Sequence, residues 1–145
     1  MGNLKLTSTS FEDGGEIPRI FGYKNGNKHP TLFVSDMPEG TEYLALIMDD
    51  PDAMGAVGKV WVHWVVWNIW PVSNTGVVDY NQASEGMTDF GEVGYGGPAP
   101  PDKRHTYVFK LRANSRVVIA SCFFFCVLES FLSSFSTTDG TTNSI

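Results

Sequence analysis

Apolar residues recur along most of the chain in short blocks divided by turns. Leu4–Phe11 alternates apolar and polar positions and predicts an opening strand, ended by Glu12-Asp13-Gly14-Gly15. Thr31–Ser35, after the turn-rich Lys24-Asn25-Gly26-Asn27, predicts a second strand; Tyr43–Met48, after Pro38-Glu39-Gly40, predicts a third. The longest block is Val60–Trp70, V-W-V-H-W-V-V-W-N-I-W. On a two-residue period, Trp61, His63, Val65, Trp67 and Ile69 share one face. Val60, Val62, Trp64, Val66, Asn68 and Trp70 share the other. Both faces are apolar, which predicts a central strand covered on two sides. Val and Trp are poor helix formers, and Gly58 and Pro71 flank the block, so a helix is disfavoured. Pro71–Gly94 is polar, with one or two short elements at most. Gly94–Pro101 predicts a rigid loop, and His105–Leu111 a last strand with His105, Tyr107, Phe109 and Leu111 on one face.

Many short strands, frequent turns and no long amphipathic helix before residue 111 predict an all-β chain folded as a β-sandwich with few short helices. The pattern changes after Leu111. Residues 112–145 contain both cysteines, most of the serines and the apolar stretch Val117–Leu128, while Thr137–Ser144 has the composition of a disordered end. The organisation expected is a domain over 1–111 and an atypical apolar, Ser/Thr-rich tail over 112–145.

A length of 145 residues suits one domain with a substantial core. The net charge of −6 argues against a nucleic-acid surface, which needs clustered Lys and Arg, but not against a small anion held by a few local donors. The start of the chain lacks a signal-peptide apolar run, and Val117–Leu128 is too short to span a bilayer. Cys122 and Cys126 match no common metal pair or disulfide framework. A reducing, cytoplasmic location is expected.

Four features ask for a reason beyond packing. Asp49, Asp50 and Asp52 crowd at a strand end, and His63 lies inside the central strand. Gly96-Gly97-Pro98 is followed by Pro100-Pro101, and His105 shares a strand face with Tyr107. Each has a plain structural reading: a solvated turn, a hydrogen-bonded core histidine, a loop, a core tyrosine. Their order is more telling, because they fall on elements that can be neighbours in one sheet.

The segments L-A-L-I-M-D-D-P-D-A, V-H-W-V-V-W-N-I, G-Y-G-G-P-A-P-P and H-T-Y-V-F-K-L together resemble the phosphatidylethanolamine-binding protein family, also called the Raf kinase inhibitor family, in its bacterial and archaeal branch. The resemblance runs from Leu4 to Leu111. It implies a β-sandwich on a large central antiparallel sheet, with a small pocket that takes phosphate-like anions and the phosphatidylethanolamine head group. Carried over motif by motif, the ligand-binding residues would be Asp50, Asp52, Trp61, His63, Gly97, Pro98, His105 and Tyr107. The histidines and Tyr107 can donate hydrogen bonds, and backbone N–H groups near Gly96 and Gly97 could approach an anion. One aspartate would orient an imidazole and the other meet an ammonium; Trp61 would be an apolar wall.

Asp52-Ala53-Met54 stands where many relatives have a proline after D-P-D-A, and Thr106 replaces an arginine common in H-R-Y. The tail departs most, since nothing from Arg112 onward looks like the family's closing helical elements; an uncovered sheet edge would favour association, a homodimer being the simplest form. The expected function is a non-catalytic binding module for a small anion or phosphorylethanolamine-type head group, modulating a kinase or protease partner. No catalytic residue, cofactor, metal or transmembrane segment is expected. The rival from another class is a metal-dependent hydrolase with Asp50, Asp52, His63 and His105 as ligands; a third is an inactive remnant with a damaged C-terminus.

Overall fold

The predicted strands all form, within one to three residues of their expected ends. The computed structural model describes residues 4–71 and 76–115 with their side chains and 133–139 as backbone. Strands β1 (Lys5–Ser8), β2 (Glu16–Ile17), β3 (Leu32–Ser35) and β4 (Tyr43–Asp50) come first. Helix α1 (Ala53–Val57) follows, then β5 (Trp61–Ile69), β6 (Gly76–Val77), β7 (Ser84–Glu85), β8 (Thr106–Asn114) and β9 (Ser133–Asp139). The only other helical element among the described residues is the 3-10 turn Arg19–Phe21.

These strands make two sheets, β1-β3-β6 and β2-β9-β8-β4-β5-β7. Pairing is antiparallel except between β2 and β9. The core lies between the sheets. Leu44, Leu46 and Met48 of β4, Trp64, Val66 and Ile69 of β5, and Tyr107, Phe109 and Leu111 of β8 meet Leu6, Leu32 and Val34 of the smaller sheet. Strict alternation on β4 and β8 puts these residues on one face. The other face of the large sheet carries a smaller cluster of Ala45 with Ile47, Val65 and Trp67. There Lys110 also pairs with the nearly buried carboxylate of Asp49.

The two-residue alternation expected along the central strand fails. Met48 pairs with Trp64 and Asp49 with Val62, so one step on β4 faces two on β5 and His63 is the extra residue. A second slip lies between Leu44, which pairs with Ile69, and Leu46, which pairs with Val66. Asn68 falls in that slip with a φ of 55°, the left-handed conformation that asparagine tolerates better than most residues. Trp64, Val66 and Ile69 therefore face the core together, while Val65 and Trp67 face the opposite way. The expectation that Val65, Trp67 and Ile69 share a face is corrected. Each bulge adds one residue and inverts the period after it.

The compositional change at Leu111 falls inside β8, which continues to pair with β4 through Asn114. Backbone of 133–139 forms β9 alongside β8, from Thr106↔Thr138 to Leu111↔Ser133. The edge of β8 away from β4 is thus paired. Val117–Leu128 and both cysteines lie outside the described residues, as does most of Thr137–Ser144.

Candidate functional site

Antiparallel neighbours run in opposite directions, so the C-terminal end of β4 lies beside the N-terminal ends of β5 and β8. Asp50 ends β4, Trp61 opens β5 opposite it, and His105 directly precedes β8. That geometry brings one carboxylate and two imidazoles together. Asp50 Oδ2 is 2.7 Å from His105 Nδ1 and 4.0 Å from His63 Nε2. All three residues are buried, with relative exposures of 3% for Asp50, 2% for His63 and 1% for His105. Asp50 Oδ1 accepts the Ala53 N–H at 3.1 Å, which ties the carboxylate to the first turn of α1.

The bulge aims His63. Its backbone carbonyl accepts the Gly96 N–H at 2.8 Å, and its Nδ1 faces the carbonyl oxygens of Gly96 at 2.7 Å and Gly97 at 3.1 Å. Carbonyls only accept, so Nδ1 carries the hydrogen and Nε2 is the nitrogen left on the Asp50 side. Burial pushes the His63 pKa down and prevails over the carbonyls and Asp50, which favour the charged form. His63 is thus neutral at neutral pH, with a lone pair on Nε2.

His105 is the opposite case. Its Nδ1 faces Asp50, and its Nε2 lies 2.8 Å from Asp102 Oδ1. Two carboxylates ask for two donors, which only the imidazolium supplies. Burial would lower its pKa, but the hydrogen bonds and charges of Asp50 and Asp102 win and raise it. The His105 bond in turn holds the Asp102 carboxyl below its usual range. One site therefore holds two histidines pushed in opposite directions.

The remaining sequence-predicted residues surround this cluster. Tyr107 is fully buried with its ring edge-on to His63, 5.0 Å between centroids. Trp61 is half-buried, edge-on to Phe90 at 5.5 Å; the Lys59 ammonium lies 5.1 Å from its ring centre. Its Nε1 is buried with no hydrogen-bond partner among the described residues. Asp52 is exposed, and its Oδ2 accepts the Thr106 N–H at 2.7 Å, clasping the loop after β4 to the start of β8. Pro98 is buried and its carbonyl accepts the Tyr23 N–H at 3.1 Å.

Gly96 and Gly97 serve a different purpose from the one expected. Gly96 N–H donates to His63, and Gly97 N–H donates to Asn27 Oδ1 at 2.8 Å, so both backbone donors are used inside the protein. A methyl group on Gly97 would lie 1.9 Å from the Phe21 carbonyl oxygen, a space only glycine fits. The loop presents carbonyls to His63 rather than amides to an anion. Asp50, Asp52, His63 and His105 do not form a metal-ligand set here. Both His105 nitrogens and one Asp52 oxygen are already in hydrogen bonds, and no group of three His, Cys, Asp or Glu among the described residues is arranged to hold a metal ion.

Sequence reasoning missed Asp102, Phe90 and Asn27. Asp102 had a signal, standing three residues before His105 at the end of a Pro-Pro corner. Phe90, whose ring is edge-on to both Trp61 and His63, had none.

The sequence profile described as phosphatidylethanolamine-binding protein matches residues 7–141. The chain belongs to that family. A relative named UPF0098 protein, from Aquifex aeolicus, is 39% identical over 117 residues, covering 77% of this chain and 68% of its own. The crystal structure of the phosphatidylethanolamine-binding protein homologue CT736 of Chlamydia trachomatis superposes with a TM-score of 0.81 at 27% identity. It covers 98% of this chain and 100% of that one. E. coli YbcL, a member of the same family, gives 0.79 at 26% identity, covering 97% and 99%. The match to residue 141 runs well past Leu111, where the motif resemblance stops. The family's sheet architecture is the one described above. No helix among the described residues is long and apolar enough to cross a membrane.

Proposed function

We propose that this protein is a non-catalytic binding module for a small zwitterionic or anionic group of the phosphorylethanolamine type, presented free or on a phospholipid. The observation that carries this reading is the buried Asp50 carboxylate set between two imidazoles of opposite charge state. Asp50 and the neutral Nε2 of His63 can accept from an ammonium. A proton taken up by His63 turns the same atom into a donor for a phosphate oxygen. The buried Trp61 Nε1–H is a further donor without a partner among the described residues, and such groups are costly unless something satisfies them. Modulation of a kinase or protease partner, and a cytoplasmic location, are further parts of the proposal; they rest on the family resemblance and on cysteine usage.

Isothermal titration with phosphorylethanolamine, ethanolamine and inorganic phosphate, from about pH 5.5 to 8.5, tests the reading. Phosphorylethanolamine should bind more tightly than either fragment. Its affinity should rise toward the acidic end, as His63 charges below the usual histidine range. His63→Gln should lose that rise, which separates it from titration of the ligand itself. Absence of binding heat across the range, or a pH profile unchanged by His63→Gln, would refute it.

A further inference from the structure

The His105 side chain has no exposed surface, yet the group on its Nε2 is a half-exposed carboxylate, that of Asp102, with a side-chain exposure of 47%. The inner nitrogen is held by Asp50, whose side chain is 4% exposed and anchored to α1. The two ends of one imidazolium are thus bound in different ways. One partner is built into the sheet end, and the other hangs from the loop between Pro101 and β8. A short, charged, loop-borne acceptor thus takes up the outward N–H of His105. Arg104, two residues along, is already paired with Glu16 at 2.5 Å.

We propose that Asp102 is a built-in competitor for the site: its carboxylate takes the His105 Nε2–H bond in the unliganded protein, and an anionic ligand must displace it to use that donor. The inference rests on the anion-binding reading above and adds a control element to it. Displacement exchanges one charge-assisted bond for another of the same kind, so ligand affinity is set by a difference between two anions. The competitor keeps the imidazolium paired while the site is empty, since an unpaired buried cation is costly. It also disfavours weak anions, which cannot replace a tethered carboxylate.

Titration of inorganic phosphate at about pH 7 into the full chain, with Asp102→Ala, Asp102→Asn and Glu16→Gln beside it, tests the proposal. Glu16→Gln makes the same change in net charge at Arg104, the chain neighbour of His105, and leaves both His105 hydrogen bonds in place. Asp102→Ala should tighten phosphate binding roughly three- to tenfold and Glu16→Gln by less than about twofold, the scale of exposed charge pairs. Asp102→Asn, which keeps the loop's shape and a weaker acceptor, should fall between. The His105 Nε2 resonance should move when phosphate is added to wild type. Equal gains from Asp102→Ala and Glu16→Gln would reduce Asp102 to general electrostatics and overturn the proposal. Weaker binding by Asp102→Ala would make Asp102 a positioning residue and also overturn it. Either result leaves the anion-binding reading standing if wild type binds phosphate. No binding by wild type or by any variant would overturn both.

Discussion

Replacing Asp50 with asparagine isolates the contact on which the site turns. Asparagine keeps the shape and can still accept the Ala53 N–H, but its amide then presents a donor to His105 Nδ1. The imidazolium loses one of two carboxylates, and His105 is driven toward a neutral form that donates only to Asp102. A charge-assisted hydrogen bond contributes about 1.5–3 kcal/mol, and breaking one partner of a buried pair costs about 3–5 kcal/mol. A loss of roughly 2–4 kcal/mol is therefore expected near pH 6. The pH dependence carries the sharper test. His105 has a raised folded-state pKa, so its contribution is complete below the unfolded value of about 6.5 and is lost as pH rises through the folded one. Asp50 also favours the charged form of His63, which acts in the same direction at acidic pH. The penalty for Asp50→Asn should thus be largest near pH 6 and shrink toward about pH 9. Urea denaturation of both proteins at several pH values measures it, with imidazole nitrogen shifts reporting the His105 tautomer. A penalty that is flat with pH, or that grows as pH rises, would show that His105 is not held as an imidazolium by Asp50.

Two further predictions concern the frame of the site. Gly97→Ala puts a methyl group 1.9 Å from the Phe21 carbonyl oxygen. The backbone must move, and a loss of at least the 1–3 kcal/mol or so typical of overpacking is expected by thermal melt, together with a disturbed His63 resonance; a variant as stable as wild type would refute the close approach. A stop after Leu111 removes the β8 residues that pair with Tyr43–Ala45 and all of β9. It should leave an aggregating or unfolded chain by size-exclusion chromatography and circular dichroism, and a stable monomer would show that β9 is dispensable.

Strand positions were legible locally. Val60–Trp70, Tyr43–Met48 and His105–Leu111 declare themselves by β-branched and aromatic content between turns, and all three form strands. Their order and the D-P-D, V-H-W and H-T-Y motifs also identified the family. What lay beyond the sequence was decided by partners. The faces of β5 depend on bulges at His63 and near Asn68, and a bulge exists only in register with a second strand, so no period along β5 alone contains it. The use of Gly97 depends on Phe21, a residue distant in the chain whose carbonyl happens to fill the space of a side chain. The opposite charge preferences of His63 and His105 come from the same cause. A histidine's pKa follows the balance of burial against the acceptors around it. Two carbonyls face one ring and two carboxylates face the other only once the ends of β4, β5 and β8 and the Asp102 loop have been brought together.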